Sequence, residues 1–172
     1  MIINGSARVD GNAGSITSLL VARTGDHARR IDLASVALRS FAYDKIDRDD
    51  DDFRAIIDHM IESREIVLVT PVYWYAMSGT MKTFFDRLTD VLLDPILRPA
   101  GRRLAGKHLH LVAIGNDPAL PDGFEVPVAQ TAAYFKMEWR GSLYIRLGDD
   151  WPLDSASLDA IEAFAGRLAA KT

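Results

Sequence analysis

No cysteine occurs among the 172 residues. That absence excludes a disulfide framework, a thiol nucleophile, cysteine-ligated iron–sulfur clusters and thiolate zinc sites, and it fits a reducing compartment. Neither sign of charge dominates: Lys and Arg number 20, Asp and Glu 24, for a net charge of −4. An overall basic surface that would attract nucleic acid or anionic lipid is therefore missing. No apolar run is long enough to span a bilayer. The opening Met1-Ile2-Ile3-Asn4-Gly5-Ser6 has neither the basic region nor the apolar stretch of a signal peptide, so the expected location is cytoplasmic. There is no internal repeat, no low-complexity segment and no break in composition, and residues 1–172 read as a single domain.

What the chain does contain is an alternation of short apolar runs with helical patterns. Ile2-Ile3 opens the chain and breaks at Gly5. Residues 14–23 place Ile16, Leu19 and Leu20 at helical spacing, and Arg29–Leu33 fit a short strand. The stretch 34–48 lacks period and reads as a loop. Asp49 to Asp52 then open a helix carrying Phe53, Ile56, Ile57, Met60 and Ile61. Glu65–Thr70 is an apolar strand stopped by Pro71. Ser78 suits the N-cap of a helix with Met81, Phe84, Phe85, Leu88 and Leu92 on one face. A Pro-, Gly- and Arg-rich loop at 94–106 leads to a strand at His108–Ile114. A helix near 125–137, a strand at Trp139–Leu147 and a helix at about 154–170 complete the pattern. The order βαβαβαβαβα implies a parallel sheet with helices on both faces. Five strands fit a flavodoxin-like three-layer sandwich of order 2-1-3-4-5 better than the six-stranded dinucleotide fold.

Ligands of such sheets bind outside the carboxyl ends of the strands, near the topological switch point. Three loops lie there. The first, Gly5 to Ser15, is built of small residues and enters a helix, where free N–H groups and the helix dipole favour a phosphate. Ser6 and Ser15 add hydroxyls, Asn12 an amide and Arg8 a forked cation. The second, after Thr70, contains the consecutive aromatics Tyr73, Trp74 and Tyr75, a platform and edge for a planar ring system. The third, Gly115-Asn116-Asp117-Pro118, offers backbone donors and acceptors beside it. A G-x-G-x-x-G fingerprint is absent. Gly101–Lys107 imitates a P-loop, but His108 replaces the required Ser or Thr and the string precedes a strand instead of following one.

These motifs resemble those of the NAD(P)H-dependent FMN reductase family. Gly5-Ser6-x-Arg8-x-x-Gly11-Asn12 is similar to its phosphate motif. Thr70-Pro71-Val72-Tyr73-Trp74, followed by Met81-Lys82-x-Phe84-x-Asp86-Arg87, is similar to its isoalloxazine loop and helix. The resemblance implies FMN as cofactor and NAD(P)H as co-substrate, with hydride passing through flavin N5 to a small-molecule acceptor: a quinone, an azo or nitro compound, or free flavin. It implies that Ser6, Arg8, Asn12, Gly14 and Ser15 contact the phosphate and ribityl chain, beside Ala13, which stands where many relatives have Thr. It implies further that Pro71, Val72, Tyr73 and Trp74 line the flavin ring and that Gly115, Asn116 and Asp117 flank its pyrimidine end. No acid or base is indispensable on this reading, and no metal is involved. A homodimer is implied too. The aromatic loop and the apolar stretch Val91-Leu92-Leu93 to Ile96-Leu97 exceed what one helix face buries, which supports it.

The competing expectation is an electron carrier of the flavodoxin type, but such carriers have a Thr/Ser-rich phosphate loop and a more acidic surface. A phosphoacceptor receiver shares the fold, yet Asn4-Gly5 and Thr70-Pro71 stand where it needs acids. Elsewhere, Asp49–Asp52 read as an acidic first turn facing the helix dipole, and Lys82–Asp86 as an i,i+4 pair. His108 and His110 share a strand face without a third metal ligand, which favours structural roles. Arg98, Arg102 and Arg103 read as a solvated basic loop.

Overall fold

A computed structural model describes residues 1–25, 28–44, 51–148 and 152–169. Its strands are β1 (Ile2–Asn4), β2 (Arg30–Asp32), β3 (Glu65–Tyr73), β4 (Ala76–Met77), β5 (His108–Gly115) and β6 (Glu138–Arg146). The helices are α1 (Asn12–Thr24), α2 (Phe53–Glu62), α3 (Gly79–Arg87), α4 (Asp90–Leu93), α5 (Arg98–Arg102), α6 (Val126–Tyr134) and α7 (Ser155–Ala169). The strands β2-β1-β3-β5-β6 pair in that order and all in parallel. Counting parallel strands alone, this is the flavodoxin-like order read from the sequence.

Period-two alternation assigns the strand residues to two faces. Ile66, Leu68, Leu109, Leu111 and Ala113 face one cluster with Phe53, Ile57, Phe84 and Val128, beneath α2, α3 and α6. Val67, Val69, Val112 and Ile114 face the other, with Ile16 and Leu20 of α1 and Ile161, Phe164 and Leu168 of α7. The edge strand β6 carries a bulge: Leu109 pairs with Trp139 and Leu111 with Ser142, so Arg140 and Gly141 together oppose His110. Gly141 takes φ +89°, a conformation that favours glycine.

Four expectations are corrected. Pro71 does not end its strand, because its missing N–H falls where the parallel ladder finishes at Ile114. The chain continues to Tyr73 and folds back, pairing Val72 with Met77 and Tyr73 with Ala76 in an antiparallel ribbon. The segment 94–106 is not all loop: α5 forms within it because Leu97 and Gly101 are buried, Gly101 against Val91 and Phe135. The stretch 91–97 is not one apolar patch, since Val91 and Leu97 enter the core while Leu93 and Ile96 stay exposed. Finally, Asp51 and Asp52 do not form an acidic first turn but precede the helix. Asp49 and Asp50 lie outside the described residues, α2 begins at Phe53, and Asp51 is buried in an ion pair with Arg87.

Arg87 is 1 % exposed. It meets Asp51 through its Nη atoms, Asp90 Oδ2 through Nε at 2.5 Å, and the Arg39 carbonyl at 3.1 Å. Burial pushes the Asp51 carboxyl up, but the hydrogen bonds from Arg87 and from the Arg39 and Phe53 N–H groups, with the Arg87 charge, together outweigh it and hold the carboxyl below its usual range. The Lys82–Asp86 pair forms as expected at 2.5 Å, on the surface. Among the described residues, no helix is long and apolar enough to cross a membrane, and no group of three or more His, Asp or Glu could hold a metal ion.

Candidate functional site

The three loops singled out in the sequence converge. At the carboxyl edge of the sheet, a cavity of about 460 Å³ is lined by Ser6, Arg8, Gly11, Asn12 and Ala13 from the first. Pro71, Val72 and Tyr73 line it from the second, and Ile114, Gly115, Asn116 and Asp117 from the third. Leu147, beyond β6, closes it. Gly14, Ser15 and Trp74 are not part of this lining. A Cβ at Gly14 would collide with the Val9 carbonyl oxygen, so glycine there lets the loop fold onto the first turn of α1. Ser15 donates its N–H to the Gly11 carbonyl at 2.9 Å, inside the helix. Trp74 stands at the tip of the β3–β4 ribbon and is 93 % exposed.

The first loop is held from below by a polar chain. Asp32 accepts from Arg30 Nε and Nη2, both at 2.8 Å, and from Asn4 Nδ2 at 2.8 Å. Asn4 is fully buried, and its Oδ1 accepts from the Ser6 N–H at 3.1 Å. Ser6 Oγ in turn accepts from the Arg8 N–H at 3.2 Å. Ser78 caps α3 by accepting from the Met81 N–H at 3.1 Å and donates to the Gly5 carbonyl, which joins the first loop to the second.

The third loop hangs from the end of β6. Tyr144 donates its hydroxyl to the Asp117 carbonyl at 2.9 Å, Arg146 Nε donates to the Asn116 carbonyl at 3.4 Å, and the Leu147 N–H donates to the Gly115 carbonyl at 2.7 Å. Partial burial, followed by the charge of Asp117, pushes the Tyr144 hydroxyl above its usual pKa, so it remains a donor. Asn4, Asp32, Tyr144 and Leu147 had no signal in the sequence pattern, because each acts through a partner distant in the chain. Only a register for β1, β2, β5 and β6 could have found them.

The lining fits an anionic, planar ligand. Gly11 occupies the N-cap of α1 with no side-chain cap, and the first turn has no acidic residue, so its N–H groups face the loop without a carboxylate competitor. Arg8 leans against the same turn with a mostly exposed side chain, 3.8 Å from Asp10. A phosphate suits this end, and the wall of Pro71, Val72 and Tyr73 suits a ring at the other.

A parallel α/β sandwich with its cavity at the carboxyl edge of the switch point is the arrangement of flavodoxin-like proteins. Residues 1–126 match the family model for NADPH-dependent FMN reductase, and the chain belongs to that family. An NAD(P)H-dependent FMN-containing oxidoreductase of Bacillus subtilis, YwqN, is 34% identical over 67 residues, 39% of this chain and 37% of the relative. The match thus spans a little over one third of that protein's length. Among solved structures, the Trp repressor binding protein of Bacillus subtilis superposes with a TM-score of 0.74 at 23% identity, covering 94% of both chains. The general stress protein 14 of Treponema denticola, solved in complex with FMN, gives 0.62 at 16% identity, covering 99% of this chain and 95% of its own. These two likenesses concern the fold.

Proposed function

We propose that the chain is a single FMN-binding domain that oxidises NAD(P)H and reduces a small-molecule acceptor. The observation that carries this reading is the convergence of the three loops on one cavity, with a cation and an open helix start on one side and an uncharged wall of Pro71, Val72 and Tyr73 on the other. When bound, FMN supplies the redox centre that takes hydride from a nicotinamide and passes the reducing equivalents on. The chain's own residues do the rest. Arg8, Asn12, Ser6 and the first turn of α1 hold the phosphate, with Ala13, Gly14 and Ser15 giving the backbone its close approach. Pro71, Val72 and Tyr73 form the wall against the ring. Gly115, Asn116 and Asp117 present backbone groups to its polar edge, where hydrogen bonds stabilise added electron density. Quinones, azo or nitro compounds and free flavin are the acceptors that fit an open, largely uncharged wall, and the cytoplasm is the compartment that fits a cysteine-free chain.

The deciding experiment is anaerobic addition of NADH or NADPH to the FMN-loaded protein. Bleaching of the flavin absorption by the nucleotide alone, without a partner protein, is the expected outcome. Bleaching only through a separate reductase would favour an electron carrier and overturn the enzyme reading. We propose a homodimer as well, supported by the exposed Leu93, Ile96 and Tyr134. A monomeric mass by light scattering, with FMN bound and turnover intact, would exclude it.

A further inference from the structure

The pairing of Tyr73 with Ala76 leaves only Trp74 and Tyr75 in the β3–β4 turn. Both have positive φ, +50° and +64°. This is a two-residue turn of the I′ kind, where Asn-Gly is the favoured pair and a bulky side chain is strained at each position. Folding does not explain the two aromatics. Trp74 is 93 % exposed and Tyr75 71 %, and among the described residues neither ring stacks on another. The tip is nevertheless held in place. The Ser78 N–H donates to Thr70 Oγ1 at 3.1 Å across the base of the ribbon, and Ser78 is tied to Gly5. Tyr73, the residue before the turn, lines the cavity, so the turn that carries both rings directly adjoins its wall. No charged residue occurs from Pro71 to Gly79, which leaves aromatic and apolar surface as the tip's means of recognition.

We propose that Trp74 and Tyr75 form a stacking surface that selects a planar aromatic co-substrate at the cavity mouth. The proposal rests on the FMN-dependent reading and adds to it the specificity-determining side chains. Backbone strain at exposed aromatics is retained where recognition repays it, and an indole presented edge-free to solvent offers its whole face to a ring. The cavity beside the tip favours a small molecule over a protein as its occupant.

The test replaces the turn by its favoured pair, Trp74→Asn with Tyr75→Gly, which preserves the ribbon while deleting both rings. A second variant, Trp74→Leu, keeps apolar bulk without a π face. Melting temperature, FMN dissociation constant, solution mass, and kcat and KM for menadione with saturating NADPH are measured for each. The double variant is expected to melt no lower than the unaltered protein, to bind FMN within about twofold, and to raise KM for menadione about five- to tenfold at unchanged kcat. Trp74→Leu is expected to recover only part of that loss. FMN bound normally with KM unchanged overturns the tip assignment alone. A raised KM that accompanies dissociation of a dimer assigns the tip to contact between copies and also overturns it. Failure of the unaltered chain to bind FMN overturns the functional reading and the tip assignment together.

Discussion

Asn4 and Asp32, on neighbouring parallel strands, are joined by a hydrogen bond of 2.8 Å from the Asn4 amide to Asp32 Oδ1. The same Asn4 side chain accepts from the Ser6 N–H, so the register of β1 against β2 fixes where the first loop starts. Asn4 is buried, and removing its side chain takes the acceptor from the buried Ser6 N–H, while Asp32 keeps its two bonds from Arg30. Asn4→Ala is expected to destabilise the protein by about 1–3 kcal/mol, the cost of stranding buried polar partners. It should also weaken FMN, because the loop loses its anchor. Asn4→Asp should be worse still, placing a second carboxylate beside Asp32. Urea unfolding and a fluorescence titration with FMN check both; a change in stability under about 0.5 kcal/mol for Asn4→Ala would refute the anchoring role.

Arg8 differs from Asn4 in having little to do with folding. Its side chain is about three-quarters exposed, and its ion-pair partner among the described residues, Asp10, is 3.8 Å away and more exposed still. Such a pair contributes little. A phosphate at the start of α1 would give the guanidinium charge-assisted bonds worth about 1.5–3 kcal/mol. Arg8→Ala is therefore expected to leave the melting temperature of the ligand-free protein unchanged and to weaken FMN roughly tenfold or more. Riboflavin, which lacks the phosphate, should bind both proteins alike. Equal losses for the two ligands would remove Arg8 from the phosphate site.

Arg87 is the reverse case. Its neighbours Asp51 and Asp90 are carboxylates with almost no exposure, and the guanidinium stacks 4.6 Å from the Phe53 ring centroid. Removing one member of a buried ion network leaves a charge without its partner, at about 3–5 kcal/mol. Arg87→Met should show a loss of that size in denaturant unfolding. Adding Asp51→Asn to Arg87→Met should recover part of it, since the stranded carboxylate is then gone. A double variant as unstable as the sum of the singles would mean that the two residues are not coupled.

These contrasts mark what the sequence makes legible. The parallel order followed from the alternation of β3 and β5 with amphipathic helices, because burial on both faces writes long apolar runs. The cavity followed from loop composition, since small residues at a helix start and aromatics at a strand end are local signals. The β3–β4 ribbon was hidden because Pro71 is an ordinary strand breaker and Trp-Tyr is a poor turn pair. The Asp51–Arg87 pair was hidden because an acidic run before a helix already has a sufficient local explanation in the dipole. Asn4 and Tyr144 act across strands, and their partners depend on register, which periodicity does not set.

At the opposite, amino edge of the sheet, Glu65 sits between two histidines. His108 Nδ1 lies 2.7 Å from Oε1 and His110 Nε2 2.7 Å from Oε2, while the His110 ring meets Phe164 edge-on at 5.6 Å. Burial pushes the His110 imidazole below its usual pKa, outweighing the pull of Glu65. Burial pushes the Glu65 carboxyl up, but the hydrogen bonds from His110 and His108 prevail and hold it below its usual range. Both groups thus bind protons less readily in the folded protein than in the unfolded chain. The sign is the same for each: stability is full at high pH and falls as the unfolded state takes up protons that the folded state refuses. For His110 the loss begins as pH drops through about 6.5, the value of an unperturbed imidazole. For Glu65 it begins lower, as pH falls below its unfolded value of about 4.3. Melting temperature is accordingly expected to decline from pH 7.5 to 5.5 and again in stronger acid. His110→Phe, which keeps the contact with Phe164 but cannot titrate, should flatten the first decline and also shrink the second, because Glu65 loses one of the two hydrogen bonds that hold its carboxyl down. Parallel curves for the variant and the unaltered protein between pH 7.5 and 5.5 would show that His110 is not the group responsible.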